Sequence, residues 1–155
     1  MIFLGIDPGL SGAVAWLDGA GWLVVKDCPT LAAGKGTRRT YDPAAMLEML
    51  ASLKPDVAVL ENPNASAPRM NNMASASLGE CIGLWRMALT ALSIPYELVA
   101  PVSWKAKMGL IGKGKDGSRS KARELWPAHA ALFALVKHDG RAEAALLAEH
   151  RRRIG

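Results

Sequence analysis

The chain has 155 residues, which is the size of one ordinary domain. Half of the residues are apolar and 21% are charged, which excludes a disordered segment and allows a substantial core. The 19 Lys and Arg residues outnumber the 14 Asp and Glu residues, and the net charge of +5 favours a polyanionic partner without identifying one. Cys28 and Cys81 stand far apart in no metal-binding spacing, which excludes a disulfide scaffold and a zinc knuckle and indicates reduced thiols.

No segment approaches the roughly 18 consecutive apolar residues that a membrane span needs. At the N-terminus, the apolar run from Ile2 to Ile6 leads directly to Asp7 and Pro8 without a basic leader. This pattern predicts a strand rather than a signal peptide. We therefore expect a soluble, cytoplasmic protein that does not associate with membranes.

The first part of the chain predicts three strands with tight connections, which is typical of an antiparallel meander. These strands are expected at residues 2–6, 12–17 and 22–26. Residues 30–41 contain two glycines and three basic residues and predict a mobile, cationic loop. Asp42 and Pro43 have the pattern of an N-cap followed by proline at the first helical position, which predicts a helix to about Lys54.

The second part alternates between strands and helices. A buried strand at 57–61 is followed by a Pro- and Asn-rich loop at 62–72, and apolar residues at spacings of three and four predict a helix from about Ala74 to Ser93. The remaining elements are expected as a strand at 96–99 and helices at 101–108, 118–126, from Pro127 to about 136, and from about 139 onward. This order predicts an α/β fold with a mixed five-stranded sheet flanked by helices.

Four acidic residues stand at the ends of predicted elements. Asp7 closes the first strand and Glu61 closes the fourth, so the two side chains meet at one edge of the sheet if these strands are neighbours. Asp139 and Glu143 are four residues apart and share one face of the last helix. Taken singly, such acids are more often turn formers, N-caps or solvated pairs, and only the set of four indicates a catalytic site.

Converging carboxylates raise one another's pKa unless cations neutralise them. Carboxylate oxygens are hard ligands that hold Mg²⁺ or Mn²⁺, and two divalent ions would balance four carboxylates. Two ions about 3.5–4 Å apart can activate a water and stabilise the leaving oxygen of a phosphodiester. We therefore predict Mg²⁺, with Mn²⁺ as a substitute, as the cofactor at two ions per active site, and no small-molecule cofactor. The predicted catalytic residues and metal ligands are Asp7, Glu61, Asp139 and Glu143.

Together these residues resemble the RuvC-like Holliday junction resolvases of the retroviral-integrase/RNase H superfamily. The resemblance covers roughly residues 2 to 150 and places Asp7 and Glu61 at metal-ligand positions of the family. The segment 137–144 is closest to the phage and chloroplast branches. The motifs that carry the resemblance are GIDPGLSGA at 5–13, LENP at 60–63, the helix with Ser75, Gly79 and Gly83, PVSWK at 101–105, SRSKA at 118–122 and KHDGRAEA at 137–144.

The chain departs from the family at its last two acidic positions. Bacterial RuvC proteins usually space them by three residues, whereas Asp139 and Glu143 are four apart. Either spacing keeps both side chains on one helical face, so the departure concerns the subfamily more than the chemistry. We choose Asp139 over His138 as the third ligand, because His138 lies about 100° away around the helix.

The resemblance implies a single RNase H-like nuclease domain over residues 1–155. It also implies a homodimer that cuts two opposed strands of a four-way DNA junction symmetrically, leaving 5′-phosphate and 3′-hydroxyl ends. The helix from Ala74 to Ser93 is the candidate dimer element, since its small-residue ridge and its apolar stripe offer two packing faces. The phage-type motifs suggest a role in the cytoplasm of a bacterial or phage-infected cell.

Basic residues with interspersed glycines precede the last helix, and they can hold phosphates beside the scissile bond. The alternative is a solvated loop. Binding through these residues would weaken steeply with salt, because each neutralised phosphate releases counterions. The predicted phosphate contacts are Lys105, Lys113, Lys115, Arg119 and Lys121. A second candidate patch consists of Lys35, Arg38 and Arg39.

The loop after Glu61 faces the substrate if Glu61 is catalytic. Met70 can then insert into an opened base step, or instead anchor the loop to the core. Asn71 and Asn72 can hydrogen-bond exposed base edges. The tryptophans fall mostly in apolar stripes and indicate core, with Trp104 as the one candidate for base stacking.

Three other interpretations compete with a junction resolvase. An ATP-binding protein of the actin/sugar-kinase superfamily also opens with a strand and a Gly-rich Asp turn, but it needs two such domains and a second phosphate loop, for which 155 residues are too few. The complete acidic set argues against a branched-DNA-binding protein without catalysis. A nuclease that also cuts flaps and forks has the same active site, and only cleavage assays separate it from a strict junction resolvase.

Overall fold

The structure, a computed structural model, describes residues 1–63, 72–114 and 116–155. None of the helices in these ranges is both long and apolar enough to cross a membrane. The strands are Ile2–Asp7 (β1), Ala13–Asp18 (β2), Leu23–Asp27 (β3), Thr30–Ala32 (β4), Arg39–Tyr41 (β5), Val57–Glu61 (β6) and Tyr96–Val99 (β7). The helices are Pro43–Ser52 (α1), Asn72–Ala91 (α2), Pro101–Lys107 (α3), Gly117–Leu125 (α4) and Asp139–Ile154 (α5), and the short 3-10 segments Pro127–Phe133 and Val136–His138 precede α5.

Five of the strands form one mixed sheet in the order β3-β2-β1-β6-β7. The first three strands pair antiparallel, while β6 and β7 continue the sheet parallel to β1. The predicted mixed five-stranded sheet is confirmed. The first and fourth predicted strands, β1 and β6, are neighbours in it as expected. Because β1 and β6 run parallel, both end at the same edge of the sheet.

The side chains of β1 alternate between two cores, since successive residues of a strand point to opposite faces. Leu4 and Ile6 are fully buried in a cluster that includes the apolar residues of α1 and α2. Phe3 packs on the opposite face in the cluster that contains α5. Helices therefore cover both faces of the sheet and leave its carboxyl edge as the place for a site.

Helix α5 lies directly on β1 because Gly5 has no side chain. A Cβ at this position would come within 2.0 Å of the carbonyl oxygen of Ala144 and 2.5 Å of the amide nitrogen of Ala148. These are backbone atoms, which cannot yield without moving the helix. Gly5 therefore sets the distance between α5 and the strand that ends in Asp7.

Two segments differ from the sequence predictions. Residues expected in a cationic loop pair as the antiparallel strands β4 and β5, since Gly34 and Gly36 adopt positive φ angles of 70° and 90° between them and reverse the chain. The helix expected from Pro127 to about 136 is instead a pair of 3-10 segments. There the amide of His129 bonds three residues back to Trp126, a pattern that suits short connectors.

Candidate active site

Three of the four predicted acids converge at the carboxyl edge of the sheet. Asp7 ends β1 and Glu61 ends β6, and the pairing of Ile6 with Leu60 brings these strand ends side by side. Glu143 reaches the same place from the first turns of α5. One carboxylate oxygen from each of the three residues lies within 4.8 Å of the other two.

The start of α5 lies against the loop that follows β1. A Cβ at Gly140 would be 2.9 Å from Asp7 Oδ2 and 2.5 Å from the carbonyl oxygen of Ser11. Glycine therefore allows the helix to approach Asp7 closely, which brings Glu143 within reach of the cluster three residues later. The positive end of the helix dipole also favours carboxylates at this position.

The cluster is electrostatically unbalanced without a cation. Burial, followed by the charges of Glu61 and Glu143, raises the pKa of Asp7 well above its usual range. Burial also raises the pKa of Glu61, a hydrogen bond from Trp104 opposes that rise, and the charge of Glu143 adds to it. A bound cation would favour the ionised form of each carboxylate and so oppose these upward shifts.

Lys105 and Ser118 both contact Glu143. Lys105 Nζ lies 2.7 Å from Glu143 Oε1, and the Ser118 hydroxyl donates to the same oxygen at 3.1 Å. Burial lowers the pKa of Lys105, but the hydrogen bond to Glu143 and the charges of the cluster outweigh it and raise the pKa overall. Lys105 therefore stays protonated and supplies a fixed positive charge at the edge of the cluster.

Asp139 lies beside the cluster rather than within it. Its Oδ1 is 2.6 Å from Arg119 Nε, and the same guanidinium contacts Asp116. Asp139 and Glu143 line one cavity of about 420 Å³ together with Lys105 and Ser118. The predicted shared helical face is therefore present, but an ion pair holds the Asp139 carboxylate.

His138 faces a different cavity from the acids. It is 7% exposed, and its Nδ1 accepts the amide N–H of Leu135 at 3.3 Å. Burial, together with the positive charges of Arg141 and Lys137, lowers its pKa. His138 is not among the residues whose ligand atoms converge in the described part of the chain.

Trp104 contacts the site through a hydrogen bond that no sequence motif predicts. Its indole is fully buried and its Nε1 donates to Glu61 Oε1 at 2.7 Å, while Lys105 Nζ lies 5.3 Å from the ring centroid. Burial rules out base stacking by Trp104 in this arrangement, so that expectation is corrected. The only signal in the sequence was the position of a tryptophan directly before Lys105 in a motif of the family.

The predicted DNA contacts are distributed over three settings. Lys113 is exposed and lines a cavity of about 510 Å³ together with Lys121, which pairs with Glu124 at 2.9 Å. Lys105 faces the acids, and Arg119 is 7% exposed and paired with carboxylates of the protein rather than open to solvent. Asn72 begins α2 and is exposed. Three further predicted residues, Met70, Asn71 and Lys115, lie outside the described residues.

Sequence comparison links part of the chain to a known resolvase. No protein-family model matches the chain. It is 34% identical over 82 residues to the chloroplastic Holliday junction resolvase MOC1 of Chlamydomonas reinhardtii. The match covers 52% of this chain and 9% of MOC1, so this chain corresponds to a small part of that protein.

Solved structures extend the likeness to the whole chain. Thermus thermophilus RuvC in complex with a Holliday junction matches with a TM-score of 0.62 at 15% identity, over 100% of this chain and 97% of RuvC. The fowlpox virus Holliday junction resolvase matches with a TM-score of 0.59 at 14% identity, over 99% of both chains. The yeast mitochondrial resolvase Ydc2 gives 0.60 at 16% identity, over 97% of this chain and 77% of Ydc2. The resemblance indicated by the motifs is confirmed: this chain has the RNase H-like fold of the RuvC-like resolvases.

Proposed function

We propose that this protein is a metal-dependent endodeoxyribonuclease that resolves four-way DNA junctions by paired, symmetric cuts. The observation that carries the proposal is the convergence of Asp7, Glu61 and Glu143 at the carboxyl edge of the sheet. MOC1, which is similar in sequence, and the fowlpox and yeast proteins, which share the fold, are Holliday junction resolvases, and this supports the same substrate class here. We infer a single nuclease domain over residues 1–155 that acts in the cytoplasm of a bacterial or phage-infected cell.

The three carboxylates fit a divalent cation. All of their ligand atoms are hard oxygens, which Mg²⁺ prefers. The three carboxylates repel one another in a buried site, and the positive charge of Lys105 offsets only part of this repulsion. Asp7, Glu61 and Glu143 would hold Mg²⁺, and we propose that Asp139 joins them for a second ion. When bound, the metal would activate water for in-line attack and stabilise the leaving oxygen of the phosphodiester.

The chain's own side chains prepare this site. The Trp104 N–H binds Oε1 of Glu61 and so restricts the rotation of that carboxylate. The ammonium group of Lys105 can turn from Glu143 to a phosphate oxygen of the substrate, because the Lys105 side chain is 29% exposed. Lys113 and Lys121 lie beyond it along the adjoining cavity and extend the positive surface for the DNA backbone.

Symmetric cutting of two strands requires two active sites, and we propose that the outer face of α2 forms the dimer contact. On the inner face, Leu78, Ile82 and Trp85 are buried in the core. On the outer face, Gly79 and Gly83 have open space where a side chain would stand, and Met87 is 68% exposed. A second copy can therefore approach the α2 backbone closely.

The test is strand cleavage by the purified protein beside Asp7→Asn in Mg²⁺. Substrates are a mobile four-way junction, a flap, a fork and linear duplex at one salt concentration. We expect paired symmetric nicks on the four-way junction, about 10³-fold slower or absent in Asp7→Asn because its metal ligand set is incomplete. A Glu97→Gln variant is a suitable control, since Glu97 is an exposed acid on β7 that pairs with Arg151.

Each outcome assigns a function. Cleavage of every branched substrate would retain the active site and change the substrate class to branched DNA in general. Binding of the junction without cleavage in either Mg²⁺ or Mn²⁺ would contradict the nuclease proposal and leave a branched-DNA-binding protein.

A further inference from the structure

A second polar cavity lies beside the α5 N-terminus, and none of the three converging acids lines it. Its volume is about 360 Å³. Three cations from separate elements line it: Arg39 on β5, Lys137 in the 3-10 segment before α5, and Arg141 in α5. Asp27 is the one carboxylate among the lining residues that the structure describes. The cavity therefore has an excess of positive charge.

Two of these cations are held in place before any ligand arrives. Arg141 forms a two-pronged ion pair with Asp27, with distances of 2.6 and 2.7 Å. Arg39 donates from Nε to Thr30 Oγ1 at 2.5 Å and from a terminal nitrogen to the Thr30 carbonyl at 3.1 Å. A guanidinium has five N–H donors, so each retains donors for an anion. An anion would bind here without first ordering long side chains.

His138 adds a further donor to the wall of the cavity. Its Nδ1 accepts the Leu135 amide, so the proton of the neutral ring is on Nε2. Ser11 supplies a hydroxyl from the loop after β1. The lining thus combines point charge, planar guanidinium groups and neutral donors, which is the donor set that recognises phosphate oxygens.

The cavity adjoins the acidic site. Leu10 and Ser11 line both this cavity and a neighbouring cavity of about 620 Å³ that contains Asp7 and Glu61. A chain of phosphates that passes over the acids can therefore extend across Leu10 and Ser11. Lys105 and Lys113 lie among the residues of other cavities, so this cavity is a separate contact.

We propose that this cavity binds a backbone phosphate of the DNA substrate at a distance from the phosphate that is cut, through Arg39, Lys137 and Arg141. The inference rests on the proposed function, since it assumes a nucleic-acid substrate. Of the three residues in the second patch considered from sequence, it selects Arg39 and leaves out Lys35 and Arg38, which do not line the cavity.

The test compares two double variants that lose the same charge. Arg39→Gln with Lys137→Gln removes two cavity cations, and Lys35→Gln with Arg38→Gln removes two exposed cations of the same hairpin region. Affinity for a four-way junction is measured in EDTA, where no cleavage occurs, over a series of salt concentrations. Thermal melting verifies that both variants are folded.

We expect the cavity variant to bind at least about tenfold more weakly at 0.1 M salt, with the salt slope reduced by about 2. The control variant should lose less than about threefold. Equal effects of the two variants would overturn the proposal. It would also be overturned if inorganic phosphate stabilised the wild type but not the cavity variant while junction affinity stayed the same, because the ligand would then be free phosphate. A wild-type protein that binds but does not cut would contradict the proposed function, yet the comparison of variants would still decide this inference.

Discussion

At the scale of single residues, the arrangement of Glu61 depends on Trp104. A buried carboxylate without a hydrogen-bond donor is costly, and the indole N–H supplies that donor at 2.7 Å. Because the indole is fully buried, its position is fixed by the core rather than by solvent. Trp104 is therefore a positioning residue that acts through Glu61.

Replacement of Trp104 by Phe should weaken metal binding by about 10- to 100-fold, as is typical when the partner of a metal ligand is lost. Calorimetric titration with Mn²⁺ measures this directly. Trp16→Phe is the matched control, since its indole is also buried and donates at 2.7 Å, but to the carbonyl of Leu53. Equal Mn²⁺ affinities in the two variants would contradict a positioning role for Trp104.

The burial of Arg119 indicates a role within the protein rather than at the DNA. A buried guanidinium paired with Asp139 and Asp116 organises carboxylates, whereas an exposed lysine such as Lys113 is open to a phosphate. The two cations should therefore differ in the salt dependence of DNA binding.

Lys113→Gln should reduce the slope of log affinity against log salt by about 1, as the loss of one phosphate contact does. Arg119→Gln should leave this slope unchanged and lower Mn²⁺ affinity instead, because Asp139 loses the partner that orders it. Fluorescence anisotropy with a labelled junction provides the slopes. A reduced slope in Arg119→Gln would restore the phosphate contact predicted from sequence.

At the scale of elements, α2 has one face for the sheet and one that faces away from it. The outer face contains a shallow groove of about 280 Å³ lined by Gly83, Arg86, Met87 and other residues. The small side chains there have no role in the core, because nothing lies within 4 Å of a Cβ built on Gly83. The proposed dimer contact would use this open face.

Gly83→Arg should convert the proposed dimer to a monomer without unfolding it, since the new side chain has space in the isolated chain but not in a close helix pair. Sedimentation measures the assembly state, and paired nicking of the junction should fall together with it. Ala51→Arg on the exposed side of α1 is the control. A dimeric Gly83→Arg protein would place the interface elsewhere.

At the scale of the whole molecule, the acidic site lowers the stability of the folded protein in the absence of metal. The pKa of Asp7 is raised above the ordinary value of 3.8 in the folded protein, so folding favours its protonated form. Its contribution to stability is therefore present below about pH 4 and lost as the pH rises through the raised pKa. At neutral pH this carboxyl group therefore opposes folding until a cation binds.

Asp7→Asn should therefore melt at a higher temperature than the wild type in EDTA at neutral pH, and the gain should vanish toward pH 4. A gain of about 2–4 °C would correspond to about 1 kcal/mol at this chain length. Added Mg²⁺ should stabilise the wild type more than the variant, because the variant lacks one ligand. A difference in melting temperature that did not change with pH would exclude Asp7 ionisation as its cause.

The sequence by itself determined the order of the main strands and helices and the ends of β1 and β6. Apolar periodicity, Pro43 and the turn after Asp7 are local signals, and the same residues produce the same element wherever it packs. Asp7 and Glu61 were predictable for this reason, because each follows directly from the end of its strand. The paired strands β4 and β5 were not, since their pairing joins residues across a loop that lacks strand periodicity.

Only the tertiary structure decided which side chains meet at the site. The spacing of Asp139 and Glu143 places both on one face of α5, but the close contact at Gly140 brings Glu143 to the cluster while Arg119 of α4 holds Asp139. Trp104 meets Glu61 across 43 residues of sequence. Such contacts depend on how helices pack on the sheet, and packing combines many weak interactions between distant segments that no local pattern records.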